Sequence, residues 1–204
     1  MMSVLLEVFK NLMMKMMVNH SSLLMSKVII HVLQKIIHLQ YQVLVGKDPV
    51  DVVDGNKLFT LPTWGPTFSF SLDILLTLND TQGRNRGIIR FENYPANYGQ
   101  PGSHIPSLAH RSGGLKVGMY YGDLWSHTVN YHVPINQWFN VFMTLDTSDD
   151  GEDYLEMKCD DVTVLHHNLS SPAQTYENVN VWANYPYATA EGAQIRNFYI
   201  YPEK

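Results

Sequence analysis

The sequence predicts an all-β domain, an antiparallel sandwich or barrel, behind a short N-terminal extension that is helical or disordered. Three observations lead there. Charge divides the 204-residue chain: residues 1–47 hold five Lys and one Glu, a balance of +4, and the remainder holds nine basic against eighteen acidic residues, a balance of -9. Apolar residues after residue 55 recur at period two, the spacing of a strand with one buried face. The candidate strands are separated by turn residues and never by a helical pattern, which argues for antiparallel layers. A hydrophobic share of 45% is enough for a core. A net charge of -5 gives no basic face, so nucleic acid is not an expected partner. One cysteine, Cys159, excludes an internal disulfide framework and a multi-Cys zinc site.

The extension, residues 1–47, carries seven of the ten methionines. Val4 to Val18 and Leu23 to Val45 have helical composition. The second run is apolar nearly all round but interrupted by Lys27, His31, Lys35 and His38. A membrane span needs roughly twenty mainly apolar residues, and Lys35 falls inside the run, so no clear span is read. The stretch from Met25 imitates a secretory signal poorly and reads as an amphipathic or disordered leader, or a degenerate signal region. No Arg occurs in it, unlike a mitochondrial signal.

The β-domain runs over residues 55–202. Its clearest strand has Phe68, Phe70, Leu72, Ile74, Leu76 and Leu78 alternating with Ser69, Ser71, Asp73, Leu75 and Thr77. A second has Phe139, Val141, Met143 and Leu145 on one side, with Asn140, Thr144 and Asp146 on the other. Eight more candidates are 57–61, 87–92, 114–121, 124–132, 154–159, 161–166, 178–184 and 195–201. Between them lie turn strings such as Pro101-Gly102, Ser112-Gly113-Gly114 and Asp149-Asp150-Gly151.

From Pro134 onward the order of elements is specific. Pro134-Ile135-Asn136-Gln137-Trp138 opens the strand Phe139–Leu145. An acidic turn leads to Tyr154–Cys159, a tight Asp160-Asp161 turn leads to Val162-Thr163-Val164, and Gly192 precedes the closing run Ile195–Tyr201. This resembles the concanavalin A-like lectin/glucanase superfamily, and its laminin-G-like members above all. The resemblance implies a two-sheet jelly-roll sandwich and an extracellular setting. Two details depart from the family pattern: Asp160-Asp161 stands where Asn-Gly is common, and the glycine before the last strand is displaced to Gly192. The fold serves many functions, so function rests on a site.

Several chemistries lack their residues. A retaining glycosidase needs two carboxylates about 5 Å apart. In the glucanase branch these lie at alternate strand positions. Here Glu152 and Glu156 share parity, but Tyr154 stands between them and the acids begin in a turn. A solvated hairpin end explains them, so a glycoside hydrolase is only an alternative and no catalytic residue is expected. Cys159 and His166 lie at opposite ends of a predicted hairpin, roughly 13 Å apart along the strands, and Asp160 and Asp161 disfavour a thiolate. Cys159 therefore reads as a small core residue. His166 and His167 point to opposite faces of a strand, as do His127 and His132, so no zinc set emerges. Calcium has one candidate: Asp146, Asp149, Asp150 and Asp153 supply closely spaced oxygens around Gly151. The twelfth position, however, is Met157 rather than Glu, and a polar hairpin tip explains the same residues.

Sugar binding remains. Tyr and Trp present stacking area with a polar tip, and loops carry binding residues more often than strands do. Tyr120, Tyr121, Asp123 and Trp125 frame one tight turn. Trp182, Asn184, Tyr185 and Tyr187 form a second aromatic loop, and Asn93 to Tyr98 a third. Aromatics that merely cap the core are the competing explanation. The expected function is a non-catalytic binding module for a glycan or glycosylated surface. The alternative is a structural or adhesion domain for an extracellular protein. Asn19-His20-Ser21, Asn79-Asp80-Thr81 and Asn168-Leu169-Ser170 match the N-glycosylation pattern and agree with secretion.

Overall fold

The computed structural model describes residues 43–45, 48–78, 85–93, 102–121, 123–129, 131–184 and 192–201, with backbone alone at 43–45, 121 and 123–125. All belong to the unit 42–204. Thirteen strands occur among them: β1 (Val43–Val45), β2 (Val50–Asp51), β3 (Asn56–Trp64), β4 (Phe68–Leu76), β5 (Arg86–Glu92), β6 (Ser107–Arg111), β7 (Gly114–Tyr121), β8 (Asp123–Val129), β9 (Trp138–Thr147), β10 (Asp153–Cys159), β11 (Val162–Asn168), β12 (Tyr176–Ala183) and β13 (Ala193–Tyr201). No helix occurs among the described residues. The expected helices of the extension lie outside them, except at its end.

The strands form two sheets and every strand pair is antiparallel. One sheet has the order β1-β13-β4-β9-β10-β11, with β2 also on the edge of β13. The other has the order β3-β12-β5-β6-β7-β8. The chain crosses between sheets from β2 to β3, β3 to β4, β4 to β5, β8 to β9, β11 to β12 and β12 to β13, the wrapping of a jelly-roll sandwich. Two discrete sheets decide against the barrel.

The alternation read from the sequence becomes the interior. Phe68, Phe70, Leu72, Ile74 and Leu76 of β4 are buried, as are Phe139, Val141, Met143 and Leu145 of β9. The facing sheet supplies Phe91, Leu108, Leu115, Val117, Met119, Val179 and Val181. Trp64 joins the layers: its ring stacks on Phe68 at 4.6 Å and on Phe91 at 4.4 Å between centroids. Cys159 is fully buried among these side chains, and burial with Asp160 nearby pushes its thiol up to about 12.

Local chemistry explains the joints. Asp160 and Asp161 hold positive φ (46° and 64°) in the two-residue β10–β11 turn. Asp tolerates that region because its short side chain bonds locally. Asp160 Oδ1 accepts the Asn140 N–H at 2.8 Å, so the turn is tied to β9. Gly192 has φ 70°, and a Cβ there would come within 2.6 Å of Thr77 Oγ1 and 2.7 Å of Leu78 Cγ, so the displaced glycine is required where it stands.

Two features differ from the sequence expectation. Residues 43–45, expected to end a helix, form β1, and the sheet reaches back ahead of residue 55. The edge of β13 offers unpaired backbone groups, and a Val-Leu-Val segment satisfies them better as a strand than as one helical turn. The strand β6 was not anticipated. Its inward positions are Leu108 and a buried His110, and its outward ones Ser107, Ala109 and Arg111, so apolar alternation is faint.

Candidate functional site

Because Leu115, Val117 and Met119 point into the core, the alternate residues of β7, Lys116, Gly118 and Tyr120, face outward. Register carries that face across the sheet. Lys116 lies opposite Ala109 and Thr128, and Gly118 opposite Ser107 and Ser126. Ala109 pairs with Gly87, Ser107 with Arg90, and Arg90 with Trp182. The centre of this outer face is floored by Gly87, Ser107, Ala109, Gly118 and Ser126, whose side chains are small. The result is a groove with a cavity of about 150 Å³, walled by Lys116, His104 and Asn85.

The segment 102–106 holds His104 in place by bonding strands on both sides. Asn93 N–H donates to Gly102 C=O at 3.1 Å, Ile105 N–H to Phe91 C=O at 3.0 Å, and Phe91 N–H to Pro106 C=O at 2.9 Å. On the other side, Tyr120 N–H donates to His104 C=O at 2.7 Å. The Trp64 indole N–H donates to Ile105 C=O from the core beneath. Ser103 Oγ lies 2.9 Å from His104 Nδ1.

Charge concentrates here. Arg90 Nη2 and Glu92 Oε2 form an ion pair of 2.8 Å, with side chains 3% and 8% exposed. Burial raises the Glu92 carboxyl; Arg90 and the Trp182 indole oppose that rise. Trp182 Nε1 is buried and makes no hydrogen bond of regular geometry among the described residues, yet it stands close enough to Glu92 to favour its charge. Burial, helped by Arg90 and Lys116, pulls His104 down to about 4, so its imidazole is neutral at neutral pH. Burial and the Arg111 charge lower Lys116.

Of the ligand residues expected from sequence, Tyr120 and Trp182 share this outer face. Asn184 does not serve as expected: it is fully buried, donates from Nδ2 to Asp54 Oδ1 at 2.7 Å and from its backbone to Ile88 C=O at 3.1 Å. Those bonds satisfy a polar group inside the fold. Tyr121, Asp123 and Trp125 sit on the β7–β8 hairpin, where Trp125 is in register with Met119, and their side chains lie outside the described set. Tyr185, Tyr187 and residues 94–98 lie outside it as well.

The calcium candidates are not gathered. Asp153 accepts from Thr147 Oγ1 at 2.7 Å and from Ala173 N–H at 2.8 Å, Asp146 accepts from Thr147 N–H at 3.0 Å, and Asp150 accepts from Ser148 Oγ. These acids are spent on closing the hairpin, and Asp149 is exposed at its tip. Among the described residues no three His, Cys, Asp or Glu stand together as a metal-holding group. Glu152 accepts from Asn168 Nδ2 at 3.0 Å, and Glu156 pairs with Lys158 at 3.1 Å on the opposite sheet from the groove.

Sequence reading missed His104, Lys116, Arg90 and Glu92. Lys116 looks like any solvated strand residue, and the small floor residues are scattered over four strands. The only local hint is the pair of glycine and serine positions, Gly118 and Ser126, where outward bulk is absent.

No protein-family model matches the chain, and comparison with curated proteins finds no match. Solved structures do match. One is the endo-β-1,4-glucuronan lyase of the fungus Trichoderma reesei, with TM-score 0.52 and 9% identity over 79% of this chain and 80% of that one. A second is a domain of an extracellular arabinanase from Geobacillus stearothermophilus in complex with arabinotriose, with TM-score 0.50 and 12% identity over 71% and 65%. A third is the receptor-binding domain of botulinum neurotoxin type G, with TM-score 0.50 and 12% identity over 80% and 43%. The chain spans 32% to 43% of five such toxin chains. At these identities the likeness establishes the β-sandwich alone.

Proposed function

We propose that this chain is an extracellular, non-catalytic binding module of the laminin-G-like kind that holds a glycan in the groove of its six-stranded sheet. The observation that carries the reading is the trough of small residues between Lys116 and His104, with Tyr120 and Trp182 on the same face. A sugar ring needs an open floor, aromatic surface and several hydrogen-bonding groups; the groove has the floor and the polar groups, and Tyr120 and Trp182 belong to the same face of the sheet. The arabinotriose-bound and glucuronan-cleaving proteins of similar fold support a saccharide over an unrelated small molecule. Two carboxylates suited to glycoside hydrolysis do not flank the groove among the described residues, since Glu92 is engaged by Arg90.

The test is a glycan array with the full chain and with Ala109→Trp and Ser126→Trp, each checked for folding by circular dichroism. Saturable binding lost in both groove variants supports the reading. Binding kept in both and lost in Trp125→Ala would move the site to the hairpin rim. Capture of an extracellular protein partner, insensitive to free sugar, would favour the adhesion alternative.

A further inference from the structure

Resting on the glycan reading of this groove, we propose that its ligand is a carboxylate-bearing saccharide, of the uronic or sialic acid type, whose carboxylate meets Lys116 Nζ. The groove is the exception to the charge of the chain. The whole protein is net -5, yet among the described residues Lys116, Arg90 and Arg111 stand at or beside the groove with a single neighbouring carboxylate, Glu92. That carboxylate is already bound to Arg90 at 2.8 Å. Among the described residues the cavity lining holds no Asp or Glu, and no carboxylate pairs with Lys116.

Clustering these charges is costly. Burial and Arg111 both disfavour the Lys116 ammonium, and Arg90 and Lys116 both disfavour a proton on His104. An anion beside Lys116 would counter the repulsion among these cations, so binding energy is concentrated at the charged group rather than at the hydroxyls. Gly118 and Ser126, beside Lys116, leave room for a ring next to that charge.

The experiment is titration calorimetry of the full chain with oligogalacturonate, its methyl ester, sialyllactose and lactose. The acid forms are expected to bind roughly tenfold more tightly than their neutral counterparts, one charge-assisted contact's worth. That preference should disappear in Lys116→Met, persist in Lys116→Arg, and shrink with added salt. Uronate and sialate arms decide between the two sources of the carboxylate. Equal binding of acid and ester, blocked by Ala109→Trp, would overturn this inference and leave the glycan reading standing. An unchanged acid preference in a folded Lys116→Met would also overturn it. Binding of none of the four probes, with neutral glycans on the array silent too, would remove the glycan reading and this inference with it.

Discussion

Acid should weaken this fold through His104 in a window that can be stated in advance. The imidazole is buried on the outer face of the six-stranded sheet and held at about 4, against an ordinary 6.5. Between those values the unfolded chain takes up the proton and the folded chain does not, so stability falls as pH falls. The contribution is whole above about 6.5 and lost as pH approaches 4. A difference of that size corresponds to about 3 kcal/mol. The raised Glu92 carboxyl acts in the opposite sense, since the folded state there holds its proton more readily as pH falls. The lowered His167 adds to the loss. Urea unfolding at intervals from pH 7.5 to 4, for the natural chain and His104→Gln, isolates the His104 part as a difference. The difference should change by about 2–3 kcal/mol across the window. A flat difference would refute a buried, neutral His104.

Other outcomes follow from the same contacts. Glu92→Ala leaves the Arg90 guanidinium buried beside a missing partner and should cost about 3–5 kcal/mol by denaturant titration, whereas a surface variant such as Glu177→Ala should cost under about 0.5 kcal/mol. Trp64→Phe keeps the stacking on Phe68 and Phe91 but removes the bond to Ile105 C=O, so a loss of about 1–3 kcal/mol is expected, with faster amide exchange across 103–106 by mass spectrometry. Phe70→Ala opens a hole at the centre of the aromatic cluster and should lower stability by about 3–5 kcal/mol in the same denaturant titration. Cys159, buried and pushed up to about 12, should react with a thiol reagent at pH 8 only after denaturant is added; prompt native reaction would contradict its burial.

The strands and their faces were legible in the chain because period-two alternation is a local property. Phe68 to Leu76 announces its inner face without knowledge of any neighbour, and so does Phe139 to Leu145. The Asp160-Asp161 turn, and the role of Cys159 as a core residue, follow from equally short-range chemistry. The groove was not legible, because no single segment contains it. Gly87, Ser107, Ala109, Gly118 and Ser126 are unremarkable apart, and they become a floor only when register aligns four strands. His104 sits in a loop whose path depends on the Trp64 bond to Ile105 and on pairing with both Phe91 and Tyr120. Local alternation says which side of a strand is wet; lateral hydrogen bonding between distant segments decides which wet side chains become neighbours, and on that the candidate site depends.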